Sequence, residues 1–316
     1  MLGATGALAA GKPSRCAVES FSRSAAALGA AVNITVLHSS RETARAALDA
    51  AMAEVRLVDE LMSLYRADSQ VSLLNRAGVL DDPHPCLVEI LDIAREISRR
   101  TDGAFDITVQ PLWQLYSAAA AARTVPDDRA VREAVRLVDW RSVDVTARRV
   151  VLRRPGSAIT LNAIAQGYAA DRAAAALRKA GITMALVDTG EIAALGHKPD
   201  GSCWKIGIQH PRHRDACVAV ASLADCCMAT SGDYATSFTD DRLYHHIFDP
   251  LTGRSPRELA SATVVAHSAA HADALATALM VMGAERGLAL IRTLAGTEAL
   301  LVKKSGQIVA TSAFPA

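Results

Sequence analysis

Apolar positions in this chain recur with two different periods, and the switches between them mark out its elements. Between residues 30 and 37, Val32, Ile34 and Val36 alternate with other residues, the period of a strand with one buried face. From Thr43 to Leu64 the spacing becomes helical, with Ala44, Leu48, Met52, Val55, Leu61 and Met62 on one stripe. A short segment carrying Leu73, Leu74 and Asn75 follows, and Asp81-Asp82-Pro83 with Pro85 break the chain. Leu87, Ile90, Leu91, Ala94 and Ile97 then repeat at i, i+3, i+4, with Gly103 as the stop. The alanine-rich run from Ser117 to Arg123 favours helix, and Pro126-Asp127-Asp128 starts another. Beyond it the pattern predicts strands near 142–153 and 158–161 and a helix through Asp171 to Ala180 closed by Gly181. Four or five further strands reach Asp225, and a Val264-Val265 strand precedes one long helix from His271 toward Leu294. A terminal hairpin turns at Ser305-Gly306.

Strands and helices are interleaved, but hairpin spacings are too frequent for a purely parallel sheet. The pattern therefore predicts a single compact α+β unit with mixed, largely antiparallel sheets and packed helices. No G-x-G-x-x-G joins a strand to a helix and no Walker A loop is present, which excludes the two commonest nucleotide-binding frameworks. Nor is there a solenoid repeat.

Composition narrows the function classes. Of the 316 residues 51% are hydrophobic and only 4% aromatic, a core built from Ala, Val, Leu and Ile. A formal net charge of +1 offers no field to recruit nucleic acid or acidic lipid. The densest basic run, Arg148, Arg149, Arg153 and Arg154, has no interleaved aromatics and reads as a solvated strand or hairpin face. No run is expected to be long and apolar enough to cross a bilayer. The six cysteines form no C-x-x-C pair, so they are expected to act as small buried hydrophobes, with no disulfide assignable. Met1 to Gly11 is small and apolar with Ala7-Leu8-Ala9 as an A-x-A pattern, and polar sequence begins at Lys12. This reads either as the end of an export signal or as an Ala/Gly leader. Residues 1–27 are accordingly assigned to a leader and linker and 28–316 to the folded domain.

Polar groups stand out against apolar sequence in the C-terminal third. Burying such groups costs free energy unless they bind something or bind each other. Asp273 and Thr277, four apart on a helical pattern, project from one face. A carboxylate and a hydroxyl are hard oxygen donors of the kind Mg²⁺ accepts, although the same pair at a helix start also serves as a cap. Leu279 to Met282 are apolar and place that polar start at the rim of a core. In Tyr244-His245-His246-Ile247-Phe248-Asp249 a strand would put Tyr244, His246 and Phe248 on one face. His246 can take a proton near neutral pH. Thr160 to Tyr168 passes from a predicted strand through small residues into a helix, either an ordinary tight turn or a place where a helix N-terminus meets phosphate.

Taken in order, these segments resemble the ApbE family, flavin transferases that use FAD to attach FMN to a threonine of a partner protein. The resemblance rests on Met228-Ala229-Thr230-Ser231-Gly232-Asp233-Tyr234, on His246-Ile247-Phe248-Asp249-Pro250-Leu251-Thr252-Gly253 and on Ala272-Asp273-Ala274-Leu275-Ala276-Thr277. Ser63-Leu64-Tyr65 with Asp68-Ser69 and Leu74-Asn75, and Thr101-Asp102-Gly103-Ala104-Phe105-Asp106, add two N-terminal motifs. It spans about residue 28 to about residue 311.

The resemblance implies that Asp273, Thr277 and a backbone carbonyl near Ala165 hold Mg²⁺, and that His246 occupies the catalytic position. Asp249 would orient the turn or the histidine. Thr230, Ser231 and Asp233 would contact the ligand or order the site, and Tyr65 would stack on flavin or adenine. The chain departs from the commoner pattern at Thr160, Asn162 and Gln166, where Asp, Gly and Lys are usual. It departs again at Asp188-Thr189-Gly190-Glu191-Ile192, one glycine shorter, with Glu191 in the acidic position beside the nucleotide. Both departures look like the nitrous-oxide-reductase maturation branch. The implied activity is Mg²⁺-dependent transfer of FMN from FAD with release of AMP. The acceptor would be an FMN-binding domain of a membrane-associated flavoprotein in the periplasm, while the chain itself is neither transmembrane nor a nucleic-acid binder. An FAD pyrophosphatase and a non-catalytic FAD-binding or delivery protein remain as alternatives.

Overall fold

The computed structural model describes residues 18–316. The A-x-A leader reading and Cys16 lie outside them. Strands β1 (Glu19–Ala27) and β2 (Ala30–His38) form an antiparallel hairpin through Leu28-Gly29, both at positive φ. The folded unit thus starts inside the segment assigned to the linker. Strand β1 escapes the periodic pattern because it is an edge strand, with only Phe21, Ala25 and Ala27 turned to the core among serines and Arg23.

Helices α1 (Arg41–Met62) and α2 (Gln70–Ala77) are followed by β3 (Val79–Asp81), α3 (Pro85–Arg100), α4 (Gln110–Ala121) and α5 (Asp128–Val135). Next come β4 (Val143–Val145), β5 (Arg149–Leu152) and α6 (Ala165–Lys179). Strands β6 (Ala185–Asp188), β7 (Ile192–Leu195), β8 (Trp204–Gln209), β9 (Cys217–Leu223), β10 (Cys227–Gly232) and β11 (Leu259–Ala266) lead to α7 (Ala269–Ile291). The closing hairpin is β12 (Glu298–Lys303) and β13 (Ile308–Ala310).

The main sheet runs β1-β2-β6-β7-β10-β11-β12-β13, antiparallel throughout. Its two faces explain why β11 is buried along its whole length. Ala262, Val264 and Ala266 point to the helical layer of α3, α6 and α7, whereas Val265 meets Trp204 and Leu223 of the β8–β9 hairpin on the other face. The period-two stripe Val32, Ile34 and Val36 packs on Ala44, Leu48 and Met52 of α1.

Three expectations are corrected. Residues 158–161 form no strand; the Asn75 side chain takes a strand's place, accepting from Ile159 N at 2.7 Å and donating to its carbonyl at 2.8 Å. Residues 244–249 form an irregular loop with one bridge at His245, because Tyr244 and Phe248 are drawn into an aromatic cluster around Tyr116. And α7 is long and apolar enough to span a bilayer, yet it packs on β10, β11 and α6 as a core helix. The basic run does form a hairpin face, with Arg149 and Arg153 in exposed pairs with Asp81 and Asp144.

Candidate active site

The site is built where the starts of α6 and α7 meet. Asp171, in the second turn of α6, accepts hydrogen bonds from Ser268 Oγ at 2.7 Å, Ala269 N at 2.8 Å and Ala270 N at 2.9 Å. It thereby satisfies donors that a helix start leaves open and pins the first turn of α7. Gly167 makes this approach feasible, since a Cβ there would run into the Ala269 carbonyl. Its N–H donates to Asp273 Oδ2 at 3.1 Å. Asp273 is held at 4% exposure, one turn before Thr277 on the same face.

Facing α7 is β10, whose Ser231 Oγ lies 2.8 Å from Thr277 Oγ1. Thr230 binds Thr263 of β11 through its hydroxyl at 2.9 Å, and its N–H donates to Glu191 Oε2 at 3.1 Å. Glu191 follows the β6–β7 turn at 8% exposure. Gly190 at φ +98° leaves room for the Gln166 amide where a side chain would otherwise stand. Thr189 Oγ1 ties the same turn to the Gln166 carbonyl at 2.8 Å. Two carboxylates are therefore enclosed together. Burial pushes Asp273 up to about 7, reinforced by Asp171 and offset in part by the Gly167 N–H. Glu191 is driven well above the ordinary carboxylate range by burial, then by the charge of Asp273, against the Thr230 N–H.

These side chains open on a cavity of about 200 Å³ that also reaches Asp106, Asn162 and His246. It shares Gln110, Trp113 and Asn162 with an outer groove of about 460 Å³. His246 is half-buried, and its Nδ1 lies 3.0 Å from the Thr236 carbonyl. A carbonyl only accepts, so Nδ1 carries the proton and Nε2 keeps its lone pair. Burial lowers the pKa of His246, which favours that neutral form.

The other residues singled out from the sequence fall around this centre. Thr230, Ser231, Gln166 and Glu191 line the same cavity as Asp273, Thr277 and His246. Ala165 opens α6 with its methyl in the core, next to cavity-lining Gln166. Tyr65 stands in the outer groove, 77% exposed and away from the carboxylates. Asp249 has no bond to His246; it accepts from Leu251 N at 2.9 Å and Thr252 Oγ1 at 3.0 Å and so shapes the turn. Asp233 is wholly buried outside the cavity, clasped by Arg212 through two bonds of 2.7 and 2.8 Å and by Lys304 at 3.4 Å. Its part is to order the chain after Gly232.

Sequence reading missed Asp171 as the brace of α7, and it took Phe105-Asp106 only as a motif. Asp106 accepts from Thr108 N at 2.7 Å, Thr108 Oγ1 at 2.6 Å and Trp140 N at 3.0 Å, and burial raises it to about 6. Asp171, three residues after Gln166-Gly167-Tyr168, carries no local signal for a partner nearly a hundred residues away.

The donor set fits a hard divalent cation. Two desolvated carboxylates and two hydroxyls converge where burial disfavours unpaired negative charge, and Mg²⁺ accepts such oxygens while keeping other positions for phosphate.

Comparison with known proteins places this arrangement. Residues 28–301 match the ApbE family. A Vibrio cholerae protein described as FAD:protein FMN transferase is 35% identical over 242 residues, covering 74% of this chain and 72% of the relative. A Treponema pallidum protein of the same description is 32% identical over 313 residues, covering 91% and 86%. Among solved structures, the ApbE protein of Thermotoga maritima superposes with a TM-score of 0.84 at 29% identity, over 94% of this chain and 100% of the other. The apo Pseudomonas stutzeri flavinyl transferase ApbE gives 0.78 at 31%, over 93% and 94%.

Proposed function

The chain belongs to the ApbE family, and on that premise we infer that it is an FAD:protein FMN transferase that moves FMN to a threonine of a partner flavoprotein and releases AMP. The observation that carries this reading is the meeting of Asp273, Thr277, Ser231 and Glu191 in one cavity with His246 in its wall. Asp273, Thr277 and the backbone beside Ala165 would hold Mg²⁺, which supplies neutralisation of pyrophosphate charge when bound.

The remaining work falls to the protein's own groups. His246 Nε2 takes the proton of the acceptor threonine hydroxyl as its oxygen bonds to the FMN phosphorus. The bond from that phosphorus to the bridging oxygen breaks, and AMP leaves carrying that oxygen. Such a displacement depends on positioning and electrostatics more than on a covalent enzyme intermediate. Thr236 holds the histidine tautomer, and the Asp249 turn closes the loop that carries it. The outer groove with Tyr65 offers a π-face for a ring of FAD.

The acceptor we propose is an FMN-binding domain of a membrane-associated flavoprotein in the periplasm. The shortened Asp188–Ile192 turn and Gln166 support the nitrous-oxide-reductase maturation branch. The test is intact mass of a candidate acceptor domain after incubation with the protein, FAD and Mg²⁺, beside an Asp273→Ala control. A gain of one FMN that vanishes in the control is expected. AMP release without acceptor labelling would replace the transferase by a pyrophosphatase, and FAD binding with neither product would leave a delivery protein.

A further inference from the structure

His246 has a second histidine for a neighbour, and the two are placed differently. His246 lines the cavity, whereas His245 does not and is fully buried. The polar atoms of His245 bond to the segment that returns after the Asp249 turn. Its N–H donates to Ser255 Oγ at 2.9 Å, and Ser255 Oγ donates back to its carbonyl at 2.7 Å. Its Nε2 lies 3.1 Å from the Pro256 carbonyl. A carbonyl only accepts, so Nε2 carries the proton and Nδ1 keeps a lone pair. That Nδ1 has no hydrogen-bond partner among the described residues. An enclosed ring nitrogen without a partner costs free energy that an apolar side chain of similar size would not. Burial pushes the ring's pKa down to about 4, offset in part by the Pro256 carbonyl and reinforced by Lys304 and His246, so it stays neutral. A polar group kept at such a cost calls for a compensating role.

The role follows from where these bonds lie. They join residue 245 to residues 255–256 and so close 246–254 into a short loop whose first member is His246. Within that loop Asp249 N donates to the Arg254 carbonyl at 2.9 Å, and Gly253 N donates to the Asp249 carbonyl at 2.8 Å. Before the loop, the Thr236 carbonyl accepts from His246 N at 3.1 Å as well as from its Nδ1. The main chain at His246 is therefore held by Thr236 directly and, through residue 245, by Ser255 and Pro256. Lys304 Nζ also donates to the Pro256 carbonyl, at 3.5 Å, and pairs with Asp233, so the clamp is continuous with the buried clasp after Gly232. We propose that His245 is a positioning residue for the transfer: its Nε2–H bond to the Pro256 carbonyl fixes the loop so that His246 stays in the cavity wall with its Nε2 free for the acceptor hydroxyl. The proposal rests on the flavin-transferase reading and adds to it a residue that does not line the cavity. Such fixing matters because a misplacement of about 1 Å in a proton-accepting group can cost about 10²-fold in rate.

The experiment is a double-mutant cycle. It is read as the single-turnover rate of FMN transfer to the acceptor domain that the wild type labels, with FAD affinity measured separately by flavin fluorescence. His245→Leu keeps an apolar bulk and removes the donor. It is expected to lose about 10- to 100-fold in rate with FAD affinity within about twofold of wild type. His245→Gln returns an amide N–H near the place of Nε2 and should recover most of that loss. His245→Asn carries its amide one carbon short of Pro256 and should not. In a His246→Ala background the leucine substitution should cost less than about threefold, since a residue that acts only through His246 has nothing left to position. Melting temperatures establish that each variant is folded. Ser255→Ala gives a second arm that leaves the ring of His245 intact and frees its main chain, with an expected loss of about 3- to 10-fold that again disappears in the His246→Ala background. A wild-type rate in His245→Leu would overturn the proposal. Equal losses in both backgrounds, a glutamine variant as slow as the leucine one, or FAD affinity falling in step with rate would each reduce His245 to a structural residue and overturn it as well. A wild type that binds FAD and labels no acceptor domain would sink the transferase reading itself, and this inference with it.

Discussion

Replacing Asp273 by Asn should stabilise the cation-free protein while abolishing its response to the cation. Asp273 is almost fully enclosed, and burial raises it from 3.8 to about 7. An acid raised in the folded state is bound to its proton more tightly there than in the unfolded chain. The stability penalty is therefore absent below about pH 4, grows as pH rises through the window between 4 and 7, and is complete above it. Three units at about 1.4 kcal/mol each give a cost on the order of 4 kcal/mol at pH 8, of which about 2–3 kcal/mol is recovered at pH 5. Asn is isosteric, and its amide oxygen can still accept from Gly167 N, so the variant removes charge without opening a cavity. The assay is thermal unfolding of both proteins at pH 5 and pH 8, in EDTA and in Mg²⁺. For a chain of this size about 2 °C accompanies each kcal/mol. In EDTA the variant should melt above the wild type, by several degrees more at pH 8 than at pH 5. Mg²⁺ at a hundred times its Kd should add about 2.7 kcal/mol to the wild type and almost nothing to the variant. A variant less stable than wild type in EDTA at pH 8, or a gap that does not widen with pH, would refute the assignment of this cost to a buried charge.

Other outcomes follow from the same geometry. His246→Ala is expected to lower the transfer rate about 10²- to 10⁴-fold with FAD affinity unchanged by equilibrium titration. Because burial lowers its pKa, the wild-type rate should stay level from pH 8 through the ordinary histidine range and fall only below it. Arg212→Ala leaves the wholly buried Asp233 with Lys304 alone and should cost about 2–3 kcal/mol by denaturant unfolding, less than a fully uncompensated charge because Lys304 remains. Gly167→Ala drives a methyl into the Ala269 carbonyl, so a loss of about 1–3 kcal/mol is expected together with loss of Mg²⁺-induced stabilisation as α6 and α7 separate.

Much of the fold was legible because it is written at short range. The α1 stripe, the α3 repeat, the terminal hairpin and the start of α5 at Asp127 all appear where periodicity and caps put them. Failures occurred where a side chain or a cluster took over the backbone's role. Asn75 replaces a strand partner for Ile159, and the pull of Tyr116 on Tyr244 and Phe248 breaks the alternation around His246. The small-residue turn, the histidine loop and the Asp273–Thr277 face were each visible as polar islands in apolar sequence, and the cavity gathers them.

What the sequence determined by itself is spacing: which residues share a helix face, where elements begin, and which motifs resemble the flavin transferases. What only the tertiary structure decided is environment. Glu191 and Asp233 are both acids beside small-residue turns, yet one faces Asp273 in an enclosed cavity and the other is neutralised by Arg212 and Lys304 outside it. Asp171 likewise becomes the brace of a helix whose first residue is 98 positions away. The physical reason is that periodicity depends on neighbours a few residues apart. Desolvation and charge pairing depend on whichever distant elements the core brings together.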